Sequence, residues 1–100
     1  FALAGAIAIL DLATDGVCIS ASLVSFGPGD RAVRLARAES RLARQRPSRD
    51  VLSDAARIAA EDCEAKSDAH APADYRRALL ETLMFRALCS AVGAGEREVA

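Results

Sequence analysis

The feature that most restricts the fold is a change of hydrophobic period near residue 35. Before it, Val17, Ile19, Ala21 and Leu23 alternate with Cys18, Ser20 and Ser22. That is the period-two signature of a strand with one buried and one wetter face. After it, Leu35, Ala38 and Leu42 recur at helical spacing, and Tyr75, Leu79, Leu80, Leu83, Ala87, Leu88, Ala91 and Val92 draw one continuous stripe along a longer helix. A chain that passes once from strand period to helix period folds as a sheet followed by helices.

Local signals place the elements. Leu3 to Leu12 is rich in Ile, Leu and Ala, and Asp15-Gly16 supplies a dipeptide favoured in tight hairpin turns. Gly27-Pro28-Gly29-Asp30 breaks the second strand, and Arg31 to Leu35 forms a third with Val33 and Leu35 on one face. The predicted strands are therefore about 3–12, 17–26 and 31–35. Helices are predicted over about 36–45, 49–65 and 72–92. Ser48 is the N-cap of the second helix, whose apolar face is Val51, Leu52, Ala55, Ile58, Ala59 and Cys63. Pro72 suits the first turn of the third helix, and Gly93 its end. The expected fold is α+β: a two-layer sandwich in which a three-stranded antiparallel sheet is followed by three helices packed on one face.

Composition narrows the function classes. One hundred residues, 52% of them hydrophobic, make one folded domain with little surplus for a deep cofactor cavity. The opening FALAGAIAIL is too short to span a membrane, has no basic flank and reads as a strand, so the chain is expected to begin inside a larger protein. Cys18, Cys63 and Cys89 are widely spaced and form no CxxC, which fits a reduced cytoplasmic setting better than a disulfide framework or zinc site.

Residue by residue, the candidate sites are weak. Arg34, Arg37, Arg41 and Arg44 would line a basic ridge beside Glu39, suited to a phosphate backbone or an acidic subunit, yet the net charge of the chain is -1 and aromatics are few. The simpler reading is the wet face of an amphipathic helix. Gly27-Pro28-Gly29 lacks the lysine of a phosphate loop and reads as a turn. His70 with Asp68 and Asp74 has no shared register to focus a metal. Cys63 and Cys89 fall on apolar helix faces and read as core. Tyr75-Arg76-Arg77 places two cations in the first turn of a helix, against the positive end of its dipole, with Asp74 and Asp68 as acceptors or with solvent around them. No nucleophile stands beside an evident base and orienter.

The run Ser67-Asp68-Ala69-His70-Ala71-Pro72-Ala73-Asp74-Tyr75-Arg76-Arg77, continuing through Leu80, Leu83 and Arg86-Ala87-Leu88, resembles the end of the FAD-binding subunit of molybdenum hydroxylases. These include carbon monoxide dehydrogenase, xanthine dehydrogenase and aldehyde oxidase. Phe1-Ala2-Leu3-Ala4 looks like the first strand of that family's C-terminal domain; Ser25-Phe26-Gly27 with Arg34, Ala36, Glu39 and Leu42 looks like its next strands and first helix. Two turns depart from the pattern. A glycine often found after the first helix is replaced by Arg44, Gln45 or Arg46, and a strand-ending Gly-Gly is Phe26-Gly27.

The resemblance implies an oxidoreductase complex. FAD would be held mainly by domains preceding this one. It would take electrons from a molybdenum cofactor through [2Fe-2S] clusters and pass them to NAD or another acceptor. The implied partners are a molybdenum-binding large subunit and an iron-sulfur small subunit, with no nucleic acid and no membrane span. By resemblance this domain helps to cover the flavin and docks subunits. No catalytic, cofactor-binding or metal residue carries over, and the fragment alone is expected to bind no flavin; Asp68, Tyr75, Arg76 and Arg86 stand as a structural signature. The alternative is a free-standing interaction or dimerisation module using the sheet edge or the arginine ridge.

Overall fold

The computed structural model describes residues 5–26, 32–62 and 73–99. Three strands, β1 (Gly5–Leu12), β2 (Cys18–Phe26) and β3 (Val33–Arg34), precede three helices, α1 (Ala36–Leu42), α2 (Arg49–Asp62) and α3 (Ala73–Val99). The sheet is antiparallel in the order β1-β2-β3. α3 packs on β1 and α1 on β2, while α2 lies against α1 and α3. One core joins Leu23, Leu35, Ala38, Leu42, Ala55, Ala59, Met84 and Leu88, with Ala6, Ala8 and Leu10 of β1 beneath it. The expected α+β fold is the observed one.

The hairpin turns at Asp15-Gly16. Ala13 donates to the Val17 carbonyl at 2.9 Å, and the Asp15 side chain accepts from the Val17 amide at 3.1 Å. Gly16, at φ 89°, takes the left-handed conformation that side chains resist.

The faces of β2 differ from the alternation read in the sequence. Residues pair in step from Gly5↔Phe26 to Asp11↔Ser20, and then Leu12 pairs with Cys18. Ile19 is the extra residue of a bulge. Because a one-residue slip moves side chains to the opposite face, Cys18 is fully buried and Ile19 is exposed, the reverse of their expected places. Ala21 and Leu23 keep theirs.

The end of the sheet is fastened to the corner after α1. The Arg44 amide donates to the Cys18 carbonyl at 2.7 Å, and the Cys18 amide donates to Gln45 at 2.9 Å. α1 stops at Leu42 and not near residue 45 because Arg44 adopts φ 64°. That is the left-handed site past a helix end where glycine is usual. A non-glycine residue there carries strain of about 1 kcal/mol. Arg44→Gly is accordingly expected to raise the thermal midpoint, and an unchanged or lower midpoint would contradict this account.

Ser48 caps α2, its hydroxyl accepting from the Val51 amide at 3.3 Å. α3 continues through Gly93 to Val99, whereas an end near Gly93 was expected. Gly93 does not adopt a positive φ, so no left-handed cap forms there, and each of the two glycines within the helix, Gly93 and Gly95, costs only about 1 kcal/mol. Its buried seam also differs. Leu80, Met84 and Leu88 lie deepest, Arg76 continues that line upward, and Tyr75 is 53% exposed. Tyr75 therefore leaves the predicted stripe, and Met84, four residues after Leu80, belongs at its centre. Pro72 and Arg31 lie outside the described residues.

Candidate functional site

Three arginines of the predicted basic ridge, Arg34, Arg37 and Arg41, pair with carboxylates of the chain itself. Arg37 meets Asp62 at 2.6 Å and Glu61 at 3.8 Å, and Arg41 meets Asp54 at 2.7 Å, so α1 presents its guanidinium groups to carboxylates of α2. Arg57 completes the lattice through Asp54 and Glu61. Hydrogen bonds from Arg41 and then Arg57 hold the Asp54 carboxyl below the usual carboxylate range. Arg37 and Arg41 thus bridge α1 to α2. Arg34 turns instead to Glu39, at 2.8 Å.

Glu39 does more than balance a charge. Its Oε2 also accepts the backbone amide of Leu23, at 2.8 Å. β3 has only two residues, and the Leu35 carbonyl that would face Leu23 in a longer strand accepts the Glu39 amide as α1 begins. A side chain of α1 thus supplies the acceptor that the short strand does not.

The signature residues separate. Arg76 is buried, at 6% exposure, on the core side of α3. Asp74 pairs with Arg77 at 3.1 Å. Tyr75 faces out. Arg86 lines an open groove of about 260 Å³ between α2 and α3, together with Arg49, Ser53, Glu81, Thr82 and Phe85. The Arg49 guanidinium lies 5.9 Å from the centre of the Phe85 ring, within cation–π reach. Asp68, His70 and Cys63 lie outside the described residues. Cys89, expected in the core, is exposed, while Cys18 is buried, which pushes its thiol pKa up, with the nearby Asp11 charge adding to the effect. Sequence reasoning missed Arg49, whose place in the groove depends on the packing of α2 against α3. The i+4 step from Leu80 was enough to find Met84.

The order of elements and the Arg44 corner call for comparison with known proteins. Residues 1–91 match the model of the CO dehydrogenase flavoprotein C-terminal domain. The chain belongs to that family. Similar solved structures of this family's fold include quinoline 2-oxidoreductase from Pseudomonas putida 86, with a TM-score of 0.84 and 27% identity over 92% of this chain and 32% of that one. Carbon monoxide dehydrogenase from Hydrogenophaga pseudoflava gives a TM-score of 0.82 and 25% identity over 91% of this chain and 31% of that one. CO dehydrogenase from Oligotropha carboxidovorans shares the fold, with a TM-score of 0.81 at 24% identity over 91% of this chain and 32% of that one. This chain thus spans about a third of the length of the solved chains it matches. No curated protein matches it.

The α2–α3 groove and a second groove of about 300 Å³ beside Leu12, Pro47 and Val92 are both open. They stand at the small end of ligand sites, which run from about 300 to 1,000 Å³. Each groove alone is small for a whole dinucleotide. Among the described residues, no three His, Cys, Asp or Glu side chains gather as a metal site, and no helix is long and apolar enough to cross a membrane.

Proposed function

We propose that the chain is the non-catalytic C-terminal domain of a flavoprotein subunit that passes electrons from a molybdenum and iron-sulfur hydroxylase or dehydrogenase to NAD or another acceptor. The observation that carries this reading is the family match over residues 1–91. The TM-score of 0.84 to quinoline 2-oxidoreductase, of whose chain this domain corresponds to 32%, supports it. In this reading FAD is bound mainly by preceding domains, while the molybdenum cofactor and the [2Fe-2S] clusters sit in large and small partner subunits. The domain helps to cover the flavin and to dock the subunits, in the cytoplasm. Asp68, Tyr75, Arg76 and Arg86 serve structure and not chemistry.

The test is the visible absorbance of the protein expressed with its native upstream sequence, beside the 100-residue chain alone. Flavin bands in the longer protein only are the expected result. Well-folded protein without flavin in either would overturn it. A second reading, a free-standing interaction or dimerisation module, is favoured by the eight-residue edge of β1, whose outer side pairs with no strand among the described residues. It requires a stable homo-oligomer of the 100-residue chain.

A further inference from the structure

The sheet turns the wrong residues to the open side. β1 places Ala6 and Ala8 against the helices and leaves Ile7 and Ile9 on the opposite face, where they are 48% and 64% exposed. A one-sided antiparallel sheet normally buries its larger apolar residues and shows polar ones to water. Here the second face is itself apolar. Val24 stands beside Ile7 in the ladder, and the exposed Phe26 lies across Gly5, where its ring occupies the space a Cβ would take.

The patch is graded along the strands. Ile7, Ile9, Val24 and Phe26 crowd the end where β1 starts and β2 finishes, whereas Asp11 and Ser20 pair at the hairpin end, next to the exposed Ile19 of the bulge. Arg34, beside Val24 on β3, is a charged residue at the margin of the apolar end. An aliphatic surface of this kind selects an uncharged protein face and offers nothing to a phosphate backbone.

We infer that the outer face of the sheet, centred on Ile7, Ile9 and Phe26, is an intramolecular docking surface covered by an apolar face of the domain that precedes this one in the same flavoprotein subunit. The inference rests on the flavoprotein-subunit reading. Two observations choose this occupant. About two-thirds of the matched quinoline 2-oxidoreductase chain lies outside the region corresponding to this domain, since that region is 32% of it. The densest part of the apolar face is also the end at which β1 begins, so a domain joined before Gly5 meets the patch without crossing the hairpin end.

Hydroxyl-radical footprinting, read by mass spectrometry, tests this on the 100-residue chain and on the protein with its native upstream sequence, with flavin absorbance recorded on the same samples. Ile7, Ile9 and Phe26 should oxidise several-fold more slowly in the longer protein, with Ile19 in the bulge as the internal reference. Equal rates in the two proteins would overturn the inference, whether or not flavin is bound. Protection in the longer protein without flavin would support the docking face while refuting the flavoprotein reading. Protection already present in the 100-residue chain, with sedimentation as a dimer, would assign the face to a second copy and overturn the inference. Ile9→Glu supplies an independent check. It should leave the midpoint of the 100-residue chain unchanged and lower that of the longer protein, and equal effects in both would count against docking.

Discussion

Leu88→Ala is expected to destabilise the domain by about 3 to 5 kcal/mol, the cost of a fully buried leucine truncated where neighbours relax only in part. Leu88 has no exposed surface and sits in the same cluster as Leu23, Leu42 and Met84, where the long helix packs on the sheet and α2. A domain of this kind has a total stability of about 5 to 15 kcal/mol, so the loss is a large share of it. Urea titration should show a much lower midpoint with an unchanged slope. Tyr75→Ala is the control. Although Tyr75 shares the sequence stripe with Leu88, it is 53% exposed, and its loss should stay within about 0.5 kcal/mol. Equal shifts for the two variants would show that the seam of α3 is misplaced.

The second large effect is expected at Glu39. Its replacement by alanine strands the Leu23 amide, a donor in a fully buried residue, and should cost about 2 kcal/mol. The partner Arg34 contributes little to that figure, because its side chain is 66% exposed and such ion pairs are weak. Glu39→Gln keeps an acceptor oxygen at the same reach and should recover a substantial part of the loss. Chemical denaturation of the three proteins decides the matter. Glutamine as damaging as alanine would mean that charge, and not the amide acceptor, is what β2 requires.

Much of this architecture was legible because periodicity records which faces meet. The change of period near residue 35 foretold a sheet followed by helices, and Ser48 marked the start of α2 through its hydroxyl. What escaped depended on partners distant in sequence. Alternation in β2 could not reveal a bulge at Ile19, because a bulge is a property of two strands and their register. The arginines of α1 read as a ridge open to outside partners until α2 brought Asp54, Glu61 and Asp62 opposite them. Arg76 read as a first-turn surface cation, and its burial follows from where the start of α3 lies on the core. The family was legible from the residues of the final helix and their order after the strands. No individual residue of a functional site was, because the grooves of the structure are set by helices that meet across the chain, as Arg49 of α2 and Phe85 of α3 do.

The fastening of Cys18 to the corner at Arg44 and Gln45 has a consequence for how the molecule comes apart. A hairpin normally frays from its ends, opening in small steps of low free energy. Here the start of β2 is held on one side by Leu12 and on the other by the turn that ends α1. Opening that end of the sheet therefore also requires α1 to release its last turn. These bonds couple strands to helices, and the sheet is expected to melt with the helical layer in a single transition.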